Sequence, residues 1–365
     1  MGIHFDESRW EKIKRDYDLW WDHKLDRPLI NVQVEAYTPD RPEPATPLLT
    51  QETALDLSLD PDDLIDRIDY ELSKIEYLGD SYPYFNMDCF GPGVLAAFLG
   101  AIPDNSRGNI WFNSPWDEDD ELCDQHFTYQ PDNVWFNRVK EIYRAANRRW
   151  HGRVVMGMVD LGGVMDCLAV FRGTNNLLMD LYDDPDEVKR LAGELHELWM
   201  RYYDELCTVM EEENIGYSDW SRIFSTKRSY IIQSDFCFMI SNDMFREFVM
   251  DELRQCTEVL GNVIYHLDGP GELKHLDDIL TFPKLKAVQW VPGAGAPDQC
   301  HWPEVYQKIH NAGKYIQVWD GYDAIRAVQE QTGARNGIHN FFINGTEPGE
   351  KLEYHRQMLK EFGVE

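Results

Sequence analysis

The chain has few basic residues, and it has no long apolar run. It contains 35 Lys and Arg against 65 Asp and Glu, which gives a formal net charge of -30. A field of that sign repels nucleic acid and anionic membrane surfaces, so neither is an expected partner. No apolar run approaches the roughly 20 residues that a membrane-spanning helix needs. The expected partner is a small molecule.

Paired cysteines and a dinucleotide fingerprint are also missing. The seven cysteines are an odd number, and no two of them form a C-x-x-C pair. A zinc ribbon or a disulfide framework is therefore not expected. The first residues lack the basic and then apolar pattern of a secretory signal, which predicts a cytoplasmic protein. Gly293-Ala294-Gly295 does not open a helix within a G-x-G-x-x-G pattern, so no dinucleotide site is predicted.

Short β-prone runs alternate with helical stretches along the 365 residues. Eight such runs predict a closed (β/α)8 TIM-type barrel, formed as a single domain over residues 1–365. An N-terminal helix is predicted within 1–28, an amphipathic helix over 61–78, and an excursion over 101–133. The predicted strands cover 29–35, 80–88, 153–160, 214–220, 263–268, 287–290, 315–320 and 338–343.

The strand that begins at Val263 delivers two polar side chains to a turn. His266 and Asp268 stand immediately before Gly269-Pro270-Gly271. Residues i and i+2 share a strand face, so both side chains can point into one pocket. His at such a position can act as a base or as a metal ligand, whereas Asp268 could instead cap a following helix. We predict a catalytic pair here, which is also a candidate metal site for zinc.

Further acidic and aromatic residues stand at predicted strand ends. Asp160 and Asp235 are predicted to be catalytic, because crowded carboxyl groups raise one another's pKa and can share acid and base roles. Each alone could be a helix cap. Tryptophans at strand ends could wall a slot for a ring, a sugar face or a methylammonium group, or each could fill the core. The candidate substrate-binding residues are Glu35, Asp88, Asp219, Trp220, Gln233, Trp290, Trp319 and Asp320.

Several segments together resemble the uroporphyrinogen decarboxylase superfamily. The resemblance implies a barrel that is shared by decarboxylases and by corrinoid-linked methyltransferases. It covers nearly the whole chain, although each segment alone is weak. The segments are Asp26-Arg27-Pro28-Leu29-Ile30, Phe90-Gly91-Pro92-Gly93, Asp183-Asp184-Pro185, Ser234-Asp235, Met239-Ile240-Ser241, Met244-Phe245 and Tyr265-His266.

The departures from the family pattern narrow the expected chemistry. Gln33-Val34-Glu35 stands where the decarboxylases carry a Gln-x-Gly-Arg type motif, and an acid there disfavours a polycarboxylate substrate. The zinc-dependent methyltransferases carry His-x-Cys at strand five and a later Cys, whereas this chain has His266-x-Asp268 and no Cys over 337–345. A zinc site with carboxylate ligands would need a third ligand, which the sequence does not assign.

Three functions remain open from the sequence. The first is methyl transfer, in which a methoxylated or N-methylated compound is demethylated and a corrinoid protein, as partner, accepts the methyl group. The second is a carbohydrate hydrolase or lyase that uses paired carboxylates. The third is a non-catalytic ligand-binding barrel.

Overall fold

The computed structural model describes residues 2–117, 120–345 and 350–365. The helices in these ranges are α1 Arg9–Trp21, α2 Pro61–Leu72, α3 Leu95–Phe98, α4 Val134–Trp150, α5 Val164–Arg172, α6 Thr174–Asp183, α7 Pro185–Glu211, α8 Asn242–Phe248, α9 Met250–Val259, α10 Leu276–Ile279, α11 Pro303–Asn311, α12 Gly321–Thr332 and α13 Glu350–Glu361. The strands are β1 Leu29–Glu35, β2 Ile75–Gly79, β3 Tyr84–Phe85, β4 Ile102–Asp104, β5 Trp111–Asn113, β6 Val155–Met156, β7 Ser229–Ile232, β8 Asn262–Asp268, β9 Ala287–Val291, β10 Tyr315–Val318 and β11 Ile338–Gly345.

The main sheet has seven strands in the order β2-β1-β11-β10-β9-β8-β7. Six of these strands are mutually parallel, namely β1, β11, β10, β9, β8 and β7. Strand β2 pairs with β1 in the antiparallel direction and forms one edge of the sheet. Helices connect the successive parallel strands β7 to β11, as parallel pairing requires. The protein is therefore an α/β protein with a mostly parallel sheet. Its parallel strands bring their carboxyl ends to one edge.

Two small sheets accompany the main sheet. Strands β3 and β6 are parallel to each other, and β4 and β5 form an antiparallel hairpin. That hairpin lies in the region predicted as an excursion, 101–133. Within the described ranges, no hydrogen-bonded ladder joins β3 and β6 to the main sheet.

Two sequence predictions of local structure were wrong. Residues 214–220 form a turn with a single antiparallel bridge between Tyr217 and Ser225, and the strand lies later, at β7. The Asp219 carboxylate accepts hydrogen bonds from the backbone N–H groups of Ser221 and Ile231, so it folds this turn onto β7. The helix predicted over 61–78 ends at Leu72, because the chain then pairs with β1 as strand β2.

Helix α1 packs its aromatic face against the amino-terminal ends of the parallel strands. Trp10, Tyr17 and Trp20 are buried in a cluster with Leu29 and Ile264. Ile264 shares its strand face with His266 and Asp268, which lie further toward the carboxyl end of β8. The apolar packing thus occupies one end of this face and leaves the polar residues at the other. Among the described helices, none combines the length and apolar character needed to cross a membrane.

Candidate functional site

Asp235, His266 and Asp268 form a cluster at the carboxyl ends of two neighbouring strands. Each offers one ligand atom, and these atoms all lie within 4.8 Å of one another. His266 and Asp268 belong to β8, and Asp235 begins the short 3-10 helix Asp235–Met239 that follows β7. Because β7 and β8 pair in parallel, the turn after one lies beside the end of the other. Asp235 therefore joins the predicted pair as a third potential ligand.

Two buried glutamines determine which ring nitrogen of His266 carries the proton. Nδ1 of His266 lies 2.5 Å from Oε1 of Gln289, and Nε2 of Gln289 donates to Oε1 of Gln317 at 2.5 Å. Nε2 of Gln317 donates to the carbonyl oxygen of Ser221 at 2.7 Å. A carbonyl can only accept, so it sets the direction of both amides. Nδ1 of His266 is then the donor, and its Nε2 keeps a lone pair. We call Gln289 and Gln317 the glutamine relay.

Burial favours the neutral form of His266. Burial lowers its pKa, against an opposing effect from the charge of Asp268. The indole of Trp220 packs edge-on against the imidazole, with ring centroids 4.8 Å apart. A neutral imidazole with a fixed donor and a free lone pair can serve as a metal ligand or as a base.

Two neighbouring carboxyl groups at the site, those of Asp235 and Asp166, hold protons unusually well. Asp235 is open to solvent in the cleft, yet the surrounding protein desolvates it and, with the charge of Asp268, raises its pKa to about 6. Burial and the charge of Asp235 raise the pKa of Asp166 to about 7. The Asp166 carboxylate accepts from the backbone N–H groups of Asp235 at 3.1 Å and Phe236 at 2.6 Å. Asp166 therefore holds the turn that carries Asp235.

Two further acids stand behind this cluster. Glu272 is 1% exposed, and burial together with the charge of Asp235 raises its pKa to about 10. It accepts from the backbone N–H of Asp268 at 3.2 Å. At neutral pH, Glu272 is thus a neutral acid next to Asp268. Burial also raises the pKa of Asp160 to about 7. The Asp160 side chain accepts a hydrogen bond from the backbone N–H of Gly162 at 2.9 Å.

A cavity of about 520 Å³, which we call the acidic cleft, opens beside Asp235. Asp166, Gln233 and Asp235 line one part of it. None of its described lining residues is basic. Gly162 in its lining has φ +73°, and a Cβ there would come within 2.7 Å of the Cα of Gly93, so a side chain at this position would not fit. The larger apolar lining residues are Trp111, Phe112, Val170, Phe236 and Met239.

A second cavity, of about 530 Å³, contains both signs of charge, and we call it the mixed-charge cavity. Its lining includes Glu35, Asp88, Lys74 and Arg222. Burial raises the pKa of Asp88, and the guanidinium of Arg222 opposes that rise. Arg222 has a left-handed backbone, with φ +60°, and its guanidinium lies over the ring of Tyr84 at 5.6 Å.

The remaining predicted residues lie outside both cavities. Trp290 is fully buried and packs edge-on against Trp302, with centroids 5.0 Å apart. Trp319 is 39% exposed and lies against Phe341, with centroids 4.9 Å apart. Asp219 is buried in its turn, and the Asp320 carboxylate accepts from the backbone N–H of Gln299 at 3.2 Å. The three predicted tryptophans do not form one slot.

Sequence reasoning missed residues that the structure places at the site. Asp166 lies in helix α5, and Glu272 lies in the turn four residues after β8 ends, so the strand-end criterion passed over both. Gln289 lies in strand β9 and is paired in register with His266. The alternation of side chains along β9 could have placed it on the same face of the sheet as His266. Trp111 comes from a segment without a clear period, and no sequence signal marked it.

The chain matches no known protein-family model, and its sequence has no detectable match among curated proteins. Its fold is similar to the solved structure of a methyltransferase from Methanosarcina mazei, with a TM-score of 0.58 and 12% sequence identity. The similarity covers 96% of this chain and 98% of that chain. At this identity the likeness is one of fold, over nearly the full length of both chains.

Proposed function

We propose that this protein is a small-molecule methyltransferase whose reaction centre is the cluster of Asp235, His266 and Asp268. The observation that carries the proposal is the convergence of three ligand atoms within 4.8 Å at the carboxyl end of β8. Active sites of parallel α/β folds lie at that edge. The full-length fold likeness to a methyltransferase supports the class of reaction. The substrate would be a methoxylated or N-methylated compound bound in the acidic cleft.

The proposal includes a closed (β/α)8-type barrel. Six strands of the main sheet are mutually parallel, and β3 and β6 form a separate parallel pair, so the count of eight agrees with that architecture. The backbone N–H of Leu161, five residues after β6, is bonded to the hydroxyl of Tyr230 in β7 at 2.7 Å. A side-chain contact therefore links the small sheet to the edge of the main one.

Asp235 is the proposed proton donor. With a pKa of about 6, a fraction of the protein holds a proton on this carboxyl at neutral pH. When the methyl group leaves, the electron pair of the broken bond stays on the oxygen or nitrogen, and that atom takes the proton from Asp235. A corrinoid carried by a partner protein would supply the methyl acceptor. That part of the proposal rests on the family resemblance.

The same three residues also fit a divalent metal such as zinc. One imidazole nitrogen and two carboxylate oxygens form a three-ligand set with a position left for substrate, as in catalytic zinc sites. The glutamine relay orients the free Nε2 of His266, as partners of metal-bound histidines do. A bound metal would supply Lewis acidity at the substrate's heteroatom. It would also displace the proton of Asp235, so the metal and acid roles of this carboxyl exclude each other.

Two measurements test the proposal. Metal analysis of the purified protein, and of its Asp235→Asn and His266→Asn variants, decides between the two roles of Asp235. Stoichiometric zinc that both variants lose establishes the metal role, and absence of metal from active protein establishes the acid role.

A panel of methoxylated and N-methylated compounds, mixed with protein and reduced cobalamin, should then give the absorbance of methylcobalamin. Transfer from no donor would refute methyl transfer. Turnover of glycosides by the same preparation would favour the carbohydrate hydrolase instead.

A further inference from the structure

The glutamine relay continues beyond Gln317 to a second buried histidine. Gln289, Gln317 and His339 occupy paired positions on the neighbouring strands β9, β10 and β11. His266 on β8 is paired in the same way with Gln289. Nε2 of Gln317 lies 2.9 Å from Nδ1 of His339 and 2.7 Å from the carbonyl oxygen of Ser221. The relay therefore joins two buried histidines across four adjacent strands.

The other ring nitrogen of His339 leads to helix α1. Nε2 of His339 lies 3.1 Å from one end of the side-chain amide of Asn31. The other end of that amide lies 2.8 Å from the hydroxyl of Tyr17, which belongs to α1. This hydroxyl also lies 3.4 Å from the carbonyl oxygen of Asp80. We call the glutamine relay, together with His339, Asn31 and Tyr17, the extended relay.

The proton on His339 can be located, because each hydrogen bond needs one donor and one acceptor. His339 is fully buried, and burial lowers its pKa to about 3, so its ring is neutral at pH 7 and carries a single N–H. The carbonyl oxygen of Ser221 can only accept, so Nε2 of Gln317 donates to it and, with its second hydrogen, to Nδ1 of His339. The single N–H of His339 is therefore on Nε2.

The proton on Nε2 of His339 sets the direction of the remaining hydrogen bonds. The two ends of an asparagine amide are similar in shape, so Asn31 can turn its Oδ1 toward this donor and its Nδ2 toward Tyr17. The hydroxyl of Tyr17 then donates to the carbonyl oxygen of Asp80. Every hydrogen bond of the extended relay, from Nδ1 of His266 to Asp80, now points in the same direction.

The opposite order would change the nitrogen that His266 offers to the site. A proton on Nδ1 of His339 would require Gln317 to turn its Oε1 toward that nitrogen. The same oxygen would then face the carbonyl oxygen of Ser221 across the 2.7 Å that a hydrogen bond now spans. Gln289 would have to turn as well, and Nε2 of His266 would carry a proton in place of its lone pair. Two facing acceptors disfavour this order.

We infer that His339 is a positioning residue for His266. Its Nδ1 accepts from Gln317, which fixes both glutamines of the relay and keeps the lone pair of His266 on Nε2, at the cluster with Asp235 and Asp268. His339 lies three strands away from His266 and acts only through the relay. The importance of this lone pair for activity rests on the proposed function, whereas the positions of the protons do not.

The first test locates the protons in the wild-type protein. Nitrogen NMR of protein labelled in its histidine rings distinguishes a ring nitrogen that carries hydrogen from one that does not. We expect hydrogen on Nε2 of His339 and on Nδ1 of His266, with signals assigned by their loss in His339→Asn and His266→Asn. A neutron crystal structure of the wild type shows the same hydrogens without any variant. Hydrogen on Nδ1 of His339 would overturn the inference.

The second test removes the acceptor that His339 provides. His339→Leu cannot accept from Gln317, so we expect the ratio of the Nδ1–H to the Nε2–H form of His266 to fall about fivefold. His339→Asn offers an acceptor oxygen in place of Nδ1 and should keep the wild-type ratio. An unchanged ratio in folded His339→Leu, or an equal fall in both variants, would contradict the positioning role.

Failure of this inference and failure of the proposed function give different results. The proton positions are measured without metal, corrinoid or methyl donor, so the expected pattern can hold in a protein that transfers no methyl group. Conversely, methyl transfer by a protein with hydrogen on Nδ1 of His339 would uphold the proposed function and refute the role of His339.

Discussion

The acidic cleft and the mixed-charge cavity are almost equal in volume, about 520 and 530 Å³, and both contain carboxyl groups. They differ in whether basic residues compensate the charge of these carboxyl groups. In the mixed-charge cavity Arg222 opposes the rise in the pKa of Asp88, and Lys74 forms an ion pair with Glu71 at 2.9 Å. In the acidic cleft the charge of Asp235 adds to the rise in the pKa of Asp166. Carboxyl groups with raised pKa and no counter-charge are the better candidates for chemistry.

The largest expected effect follows from removing the acid at the centre of the cleft. Asp235→Asn should lower the rate of methyl transfer by a factor of about 10² or more, because the amide can neither donate the carboxyl proton nor replace the carboxylate as a ligand. Glu35→Gln, an exposed acid in the mixed-charge cavity, is the matched control and should retain the wild-type rate. A comparable loss in both variants would remove the distinction between the two cavities.

The free energy of unfolding should depend on pH because the buried carboxyl group of Asp160 has a raised pKa. The pKa of Asp160 is about 7 in the folded protein and lies near 3.9 in an unfolded chain. Between these values the folded state keeps a proton that the unfolded state has released, so the free energy of unfolding falls as the pH rises from about 4 to about 7. Asp160→Asn should remove the part of this dependence that is due to Asp160 and add on the order of 2–4 kcal/mol at pH 7.

Chemical denaturation across that pH range measures the effect. Asp88→Asn is the matched change in the mixed-charge cavity, where Arg222 opposes the rise in pKa, and it should recover less stability. If Asp160→Asn keeps the full pH dependence of the wild type, the carboxyl of Asp160 is not desolvated as described.

The glutamine relay should matter to His266 rather than to the fold. Gln289→Leu removes the acceptor for Nδ1–H, so we expect about a tenfold loss in activity or metal affinity. Nitrogen NMR of the imidazole should show the proton on Nδ1 in the wild type and a mixture of tautomers in the variant. Gln289→Glu keeps an acceptor and should restore the Nδ1–H form. An unchanged tautomer in Gln289→Leu would refute the relay.

The smallest expected effect comes from a substitution that removes a cation from the mixed-charge cavity and so makes its charge resemble that of the acidic cleft. Arg222→Met keeps an apolar side chain near Tyr84 and removes the cation, so the pKa of Asp88 should rise further. Carbon NMR titration of the Asp88 carboxyl follows this change. A constant or lower pKa in the variant would show that Arg222 does not compensate Asp88.

Sequence patterns anticipated the strands that alternate cleanly, and they anticipated part of the site. His266 and Asp268 lie together as their i and i+2 spacing predicts, because β8 is regular to its end. The same alternation places Trp290 on the face of β9 opposite to Gln289, and the tryptophan is accordingly buried away from the cleft. Strand parity was therefore a better guide to this site than residue type.

The rest of the site depends on packing between segments that are distant in sequence. Asp235 reaches the cluster because Asp166, 69 residues earlier, accepts its backbone N–H. Trp111 reaches the cleft through a hairpin in a region without a clear period. Spacing along the chain carries no information on such contacts.

The account rests most heavily on the claim that the acidic cleft, rather than the mixed-charge cavity, holds the methyl donor. A crystal structure of the protein with a bound methoxylated or N-methylated compound tests it directly. The account predicts the compound in the acidic cleft, beside the apolar lining of Trp111 and Phe112, with its methylated atom facing Asp235. Density for the ligand beside Arg222 and Asp88 instead would contradict it.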